Sequence, residues 1–85
     1  MKADAKQVKK LLNTAKGQLD GIIKMVDDDR YCIDISHQIL ASIAILKKAN
    51  QAILSAHLQS CVIDSLNTDG VEKIDEIIGI IHKLN

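Results

Sequence analysis

The sequence predicts an all-α protein of three helices, with a long central helix between two shorter ones. Three observations carry this. The 85 residues include no proline and only four glycines. The apolar fraction is 47%, dominated by Ile, Leu, Val and Ala, with Tyr31 the single aromatic side chain. Apolar positions recur at intervals of three and four, the spacing of helices with one buried face. A chain of this length is one domain, residues 1–85, and buries only part of its surface alone, so association with further copies is the ordinary source of more core.

Helix 1 is expected over residues 4–27. Val8, Leu12, Ala15, Leu19, Ile22 and Val26 form a coiled-coil-like seam, which Leu11 and Ile23 widen. Asp4 is the candidate N-cap, with Gln7 three residues on completing a capping-box pattern. Gly17 and Gly21 each cost helix propensity, which close approach of another helix would explain. Residues 27–30, three aspartates and an arginine, read as a polar turn. Helix 2 is expected over residues 31–66, with no glycine or proline from 33 to 66. Its apolar positions include Ile35, Ile39, Ile43, Leu46, Ile53, Leu54, Leu58 and Val62, with Ile33, Leu40 and Ile45 on other sides. A helix apolar over so much of its girth needs more cover than helix 1 provides, hence partner chains. Residues 67–70 read as a second turn. Helix 3 is expected over residues 71–83, with Val71, Ile74, Ile77, Ile78 and Ile81 as its stripe.

Eleven basic and eleven acidic side chains cancel, so the charge balance lacks the positive excess usual in nucleic-acid-binding domains. Lysines nevertheless cluster: Lys2, Lys6, Lys9, Lys10 and Lys16 on helix 1, Lys47 and Lys48 midway along helix 2. A solvated face is the default reading of such lysines, but repeated copies of a modest patch in an oligomer can meet several phosphates at once. No run of eighteen apolar residues and no signal-peptide h-region is visible, so a cytoplasmic location without a membrane partner is expected. In that reducing compartment two cysteines point to reactive or metal-binding thiols rather than a structural disulfide. No Ser/His/Asp arrangement, glycine-rich phosphate loop or HExxH motif stands out, so the chain is not expected to be an enzyme.

The informative constellation is Cys32, His57 and Cys61. His57 and Cys61 are four apart, one turn from each other on one helix face. Cys32 is 25 residues before His57, roughly 37 Å along a straight helix. The first thiol cannot reach the other two ligands within one chain, so a shared site needs an antiparallel partner chain. Two thiolates and one imidazole make a three-coordinate soft site that favours Cu(I), whereas zinc would want a fourth ligand. The bland alternative is a surface histidine with a buried small hydrophobe. Cys32 at a helix start lies at the positive end of the helix dipole, which favours a thiolate, while Asp28 and Asp29 oppose it. His37 and His82 have no cysteine at helical spacing and stay outside the site.

The segments Asp29-Arg30-Tyr31-Cys32-Ile33-Asp34, Gln38-Ile39, His57-Leu58 and Cys61-Val62, with Gly17-Gln18-Leu19-Asp20-Gly21-Ile22, resemble the copper-sensitive operon repressor (CsoR) family. The resemblance covers nearly the whole chain. It implies a three-helix protomer, an antiparallel dimer forming a four-helix bundle, and dimers pairing into a tetramer. That tetramer binds operator DNA without a helix-turn-helix and releases it when an inducer reacts. Cys32, His57 and Cys61 match the family's Cu(I) ligands, and Tyr31 and Glu76 its pair that orients the ligating histidine. Helix 1 lacks the extra histidine of nickel-sensing relatives, which argues against nickel or cobalt. It also lacks the family's arginines before the Gly-Gln pair, where Leu11, Asn13 and Thr14 stand. Lys48 matches the basic position of helix 2, and Lys9, Lys10, Lys16 and Lys47 complete the expected DNA contacts. A related branch senses persulfides through Cys32 and Cys61 of neighbouring chains. From another class, the neutral charge also fits a helical interaction module that binds no DNA.

Overall fold

The computed structural model describes residues 1–65 and 71–83, and these form three α-helices with no strand among them: α1 (Ala5–Asp27), α2 (Cys32–Ser65) and α3 (Val71–Lys83). The second turn and the expected end of helix 2 at Leu66 lie outside the described residues. Asp4 caps α1, its side-chain oxygen accepting from the Lys6 N–H at 3.0 Å and its carbonyl from the Val8 N–H at 3.0 Å. The cap is thus a one-sided Asp cap rather than the reciprocal capping box, with Gln7 exposed.

The three-aspartate turn is a Schellman closure. The Asp29 N–H donates to the Val26 carbonyl and the Arg30 N–H to the Met25 carbonyl, at 3.1 and 3.0 Å. Asp29 takes φ 53°, the left-handed conformation that aspartate tolerates better than most residues. The Tyr31 carbonyl accepts from the Ile35 N–H at 3.2 Å, so Tyr31 is the cap residue and α2 begins at Cys32, one residue later than its periodicity suggests.

The turn folds α1 back along α2 as a hairpin, and α3 lies against α2. The Cα trace measures 57 × 25 × 12 Å. Its length matches α2, whose 34 residues span roughly 51 Å. Its thinness means that the helices form a single layer. Val8, Ala15 and Ile22, at strict seven-residue intervals, are buried on α1, and Ser42 and Ala49 on α2. The expected seam of helix 1 therefore splits. Leu12, Leu19 and Val26 are exposed, as is Ile23 at 60%, because they are turned away from α2. On α2, Ile33, Ile39, Leu40, Ile43 and Leu46 are also exposed, as the girth of apolar residues predicts.

Asp29→Gly removes the left-handed strain and is expected to raise the free energy of unfolding by up to about 1 kcal/mol. Asp29→Val should lower it. Chemical denaturation at fixed protein concentration reads both.

Candidate functional site

Helix periodicity places Cys32, Ile39, Ile43, Leu46, Asn50, Leu54, His57 and Cys61 along one longitudinal stripe of α2. The stripe lies about a quarter-turn from the ridge that Ser42 and Ala49 bury against α1. On α1, Leu12, Leu19 and Ile23 are displaced from the Val8–Ala15–Ile22 ridge in the same rotational sense. In an antiparallel hairpin of right-handed helices, equal displacements emerge on the same side of the layer. All three sequence-predicted ligands therefore belong to the broad apolar face of the hairpin.

Within that face the ligands separate as their spacing requires. Cys32 is the first residue of α2 and exposed. His57 is exposed one turn before Cys61, which is 4% exposed. Both cysteines are free thiols. Among the described residues no three metal-binding side chains come together in one chain. The continuous helix between Cys32 and His57 is the physical reason. Tyr31 is exposed at the cap of α2, so the same rod separates it from His57. Glu76 is exposed on α3, which five residues separate from the end of α2.

The outer edge of α1, opposite its buried ridge, is polar. Lys6, Lys10, Asn13, Gly17, Gly21 and Lys24 follow one stripe there, all exposed. A Cβ at Gly17 or Gly21 would meet nothing within 4 Å, so the close helix approach expected there does not occur within the protomer. A shallow groove along α1 is lined by Lys6, Lys9, Lys10, Asn13 and Thr14. Of the lysines expected to meet DNA, periodicity puts Lys48 on the back of α2, away from the apolar stripe, with Lys10 leaning to that side; Lys9 and Lys16 share the heptad position of Ile23 at the margin of the apolar face, and Lys47 lies toward the far edge of α2. Neither Lys24 nor Ser42 stood out in the sequence; Ser42 donates a hydrogen bond to Gln18 at 3.0 Å. The signal was available: Ser42 stands seven residues from both Ile35 and Ala49, on the stripe that faces α1.

The family model of metal-sensitive transcriptional repressors matches residues 4–83. A protein of Mycobacterium ulcerans named copper-sensing transcriptional repressor CsoR is 43% identical over 68 residues, covering 79% of this chain and 58% of that protein. The protein of the same name from Bacillus subtilis is 37% identical over 78 residues, 91% of this chain and 77% of its own length. The copper-sensing transcriptional repressor RicR of Mycobacterium tuberculosis is 40% identical over 53 residues, 62% of this chain and 55% of that protein. The chain thus spans little more than half the length of the mycobacterial relatives it matches. No solved structure matches it.

The difference in thiol exposure has a direct readout. In metal-free native protein a small neutral alkylating agent should modify Cys61 at least about tenfold more slowly than Cys32, because a packed helix must open first. The rates should converge in strong denaturant, as peptide mass spectrometry with time can follow.

Proposed function

This chain belongs to the metal-sensitive transcriptional repressor family, and from that membership we propose that it represses by binding operator DNA and is released by Cu(I). In this reading Cys32 of one protomer joins His57 and Cys61 of a second, antiparallel copy. One observation carries it: the three candidate ligands share a single stripe of α2, and that stripe runs along the apolar face that α1 leaves uncovered, exposed at Cys32 and His57 and buried at Cys61.

Two hairpins joined through these faces make a four-helix bundle. With Cys32 facing Cys61 of a second copy, Ile39 faces its Leu54 and Ile43 its Asn50, a register with an apolar pair on each side of a polar centre. Covering Leu12, Leu19, Ile23, Ile39, Ile43 and Leu46 contributes on the order of 1 kcal/mol each, given that roughly half of each side chain is still exposed. Pairing of dimers into a tetramer would use the apolar side chains left over, Ile33 and Leu40 on the far edge of α2 and Ile78, Ile80 and Ile81 on α3.

The donor chemistry fits Cu(I): two soft sulfurs and one imidazole, with Cys32 and His57 open to an incoming ligand. Glu76 sits on the helix that packs at the Cys61 end of α2, where a carboxylate can orient the ring of His57. Tyr31, next to Cys32, reaches the same site only from the second copy. These two residues are the proposed reporters of site occupancy, the chain acting as a regulator and not an enzyme.

DNA falls to the back of the layer around Lys10 and Lys48, joined at the outer edge of α1 by Lys6 and Lys24, while Lys9 and Lys16 border the apolar face and Lys47 the far edge of α2. This sidedness lets inducer and DNA be bound at once by different faces, as a released complex requires. The segment Cys32–Cys61 is long and apolar enough to cross a membrane by length and composition. Lys47 and Lys48 at its middle would be costly there, and an apolar dimer face accounts for the same composition. A cytoplasmic location follows from the repressor reading. The exposed Cys32 thiol also supports a second reading, in which a persulfide links Cys32 and Cys61 of neighbouring chains.

Anaerobic titration against a Cu(I)-selective chelator should show one tight site per protomer, and His57→Ala should weaken it by at least about tenfold. Cu(I) should lift the protein from its operator in a mobility-shift assay. Release by an organic persulfide alone, with sulfur-bridged dimers in the mass spectrum, would favour the second reading. Absence of any salt-sensitive DNA binding would leave only an interaction module.

Ile43→Glu touches no ligand, yet it should abolish both association and the copper site, since each needs the same face. Light scattering and the chelator titration read the two effects on one sample.

A further inference from the structure

Among the described residues, one side-chain hydrogen bond joins two helices. The Ser42 hydroxyl on α2 donates to the Gln18 side-chain carbonyl on α1 at 3.0 Å. Ser42 is 3% exposed and is the one polar residue found buried among those described. Around it the seam is aliphatic and mostly small: Val8, Ala15 and Ile22 on α1, Ala49 on α2. Apolar burial is non-directional and rewards many phases of one helix on another nearly equally. A hydrogen bond weakens steeply with distance and angle, and its loss here leaves a buried hydroxyl without a partner. A buried polar contact of this kind selects one register, as a lone buried asparagine does in a coiled coil.

Its placement matters as much as its chemistry. Ser42 lies on the same unbroken rod as the candidate ligands, ten residues after Cys32 and fifteen before His57. Gln18 lies between Gly17 and Gly21, the stretch of α1 with the least intrinsic helix propensity, on the flank of α1 between its buried ridge and the stripe that carries Lys10.

We propose that the Ser42–Gln18 hydrogen bond is the positioning contact that holds the lysine-bearing face of α1 in fixed phase to α2, so that inducer binding on α2 reaches the DNA face through it. The inference rests on the reading of the chain as a DNA-binding repressor released by Cu(I).

The test uses the full chain. Gln18→Met keeps side-chain length and helix propensity but loses the acceptor; Ser42→Ala loses the donor; Gln18→Glu retains an acceptor. Val8→Ala loosens the same seam at its far end without touching the bond. For each, Cu(I) binding by chelator competition, the ratio of DNA affinities without and with Cu(I), and the thermal midpoint are measured. Gln18→Met and Ser42→Ala should bind Cu(I) like the parent yet reduce the affinity ratio by roughly fivefold or more. The double variant should be no worse than either single one, the signature of a shared interaction. Gln18→Glu should keep the parent ratio. Val8→Ala should lower the midpoint and leave the ratio unchanged. A parent-like ratio in Gln18→Met and Ser42→Ala overturns the inference alone, as does a Val8→Ala that loses the ratio equally. A parent that binds no DNA, or ignores Cu(I), overturns the repressor reading and this inference with it.

Discussion

Everything in this molecule follows from α2 being one rod. Thirty-four residues without a break keep the two ends of the helix roughly 50 Å apart, and no flexibility of side chains closes such a gap. Cys32 and Cys61 can therefore cooperate only between copies, whichever chemistry joins them. The same rod exposes more apolar surface than one 23-residue helix can cover. Separation of the ligands and the need for a second layer are two consequences of one length, and the proposed dimer answers both at once.

A single layer of helices is an incomplete domain, since stable folds place a second layer over each apolar face. Here the two faces differ. The side carrying Leu12, Leu19, Ile39, Ile43 and Leu46 asks for a partner, and the back of the layer with Lys10 and Lys48, like the outer edge of α1 with Lys6 and Lys24, does not. The displacement of each exposed stripe from its buried ridge creates this sidedness, and it is written in the sequence as a heptad on each helix flanked by a second apolar position four residues on. The Schellman turn at Asp27–Arg30 serves the same end, because it fixes the antiparallel path that brings the two stripes to one side.

The three helices, the Asp4 cap and the isolation of Cys32 from His57 within a protomer were legible in the sequence, because they depend on local spacing and on rise per residue. The seam of α1 was legible only in part. Val8, Ala15 and Ile22 obey the same periodicity as Leu12, Leu19 and Val26, and periodicity alone cannot divide a stripe between two different neighbours. Ser42 escaped notice for a related reason: a serine within an apolar helix reads as neutral until the facing residue is known to be Gln18. Gly17 and Gly21 were read as a helix contact, yet nothing stands against them in the protomer. The ligand set itself is still a proposal, because its assembly lies between chains and no property of one chain builds it.

A net charge of zero looks at first like an argument against DNA, but it is a sum and binding is a matter of distribution. Three of the acidic residues, Asp27, Asp28 and Asp29, are gathered in the turn at one end of the layer, and Asp75 and Glu76 ride on α3. That leaves the outer edge of α1 with Lys6, Lys10 and Lys24 around two glycines and an asparagine, though Asp20 and Asp27 stand one turn from Lys24 and offset it, so that Lys6 and Lys10 carry most of the positive field. Counterion release depends on how many phosphates a surface neutralises, and acidic groups more than a Debye length away, about 8 Å at physiological salt, subtract little from it. Each protomer then offers only a few such contacts, fewer than the arginine-bearing pattern of the copper-sensitive repressors implies. Affinity in this reading comes from repetition of the face across an oligomer, which makes the apolar side of α2 as much a condition of DNA binding as the lysines themselves.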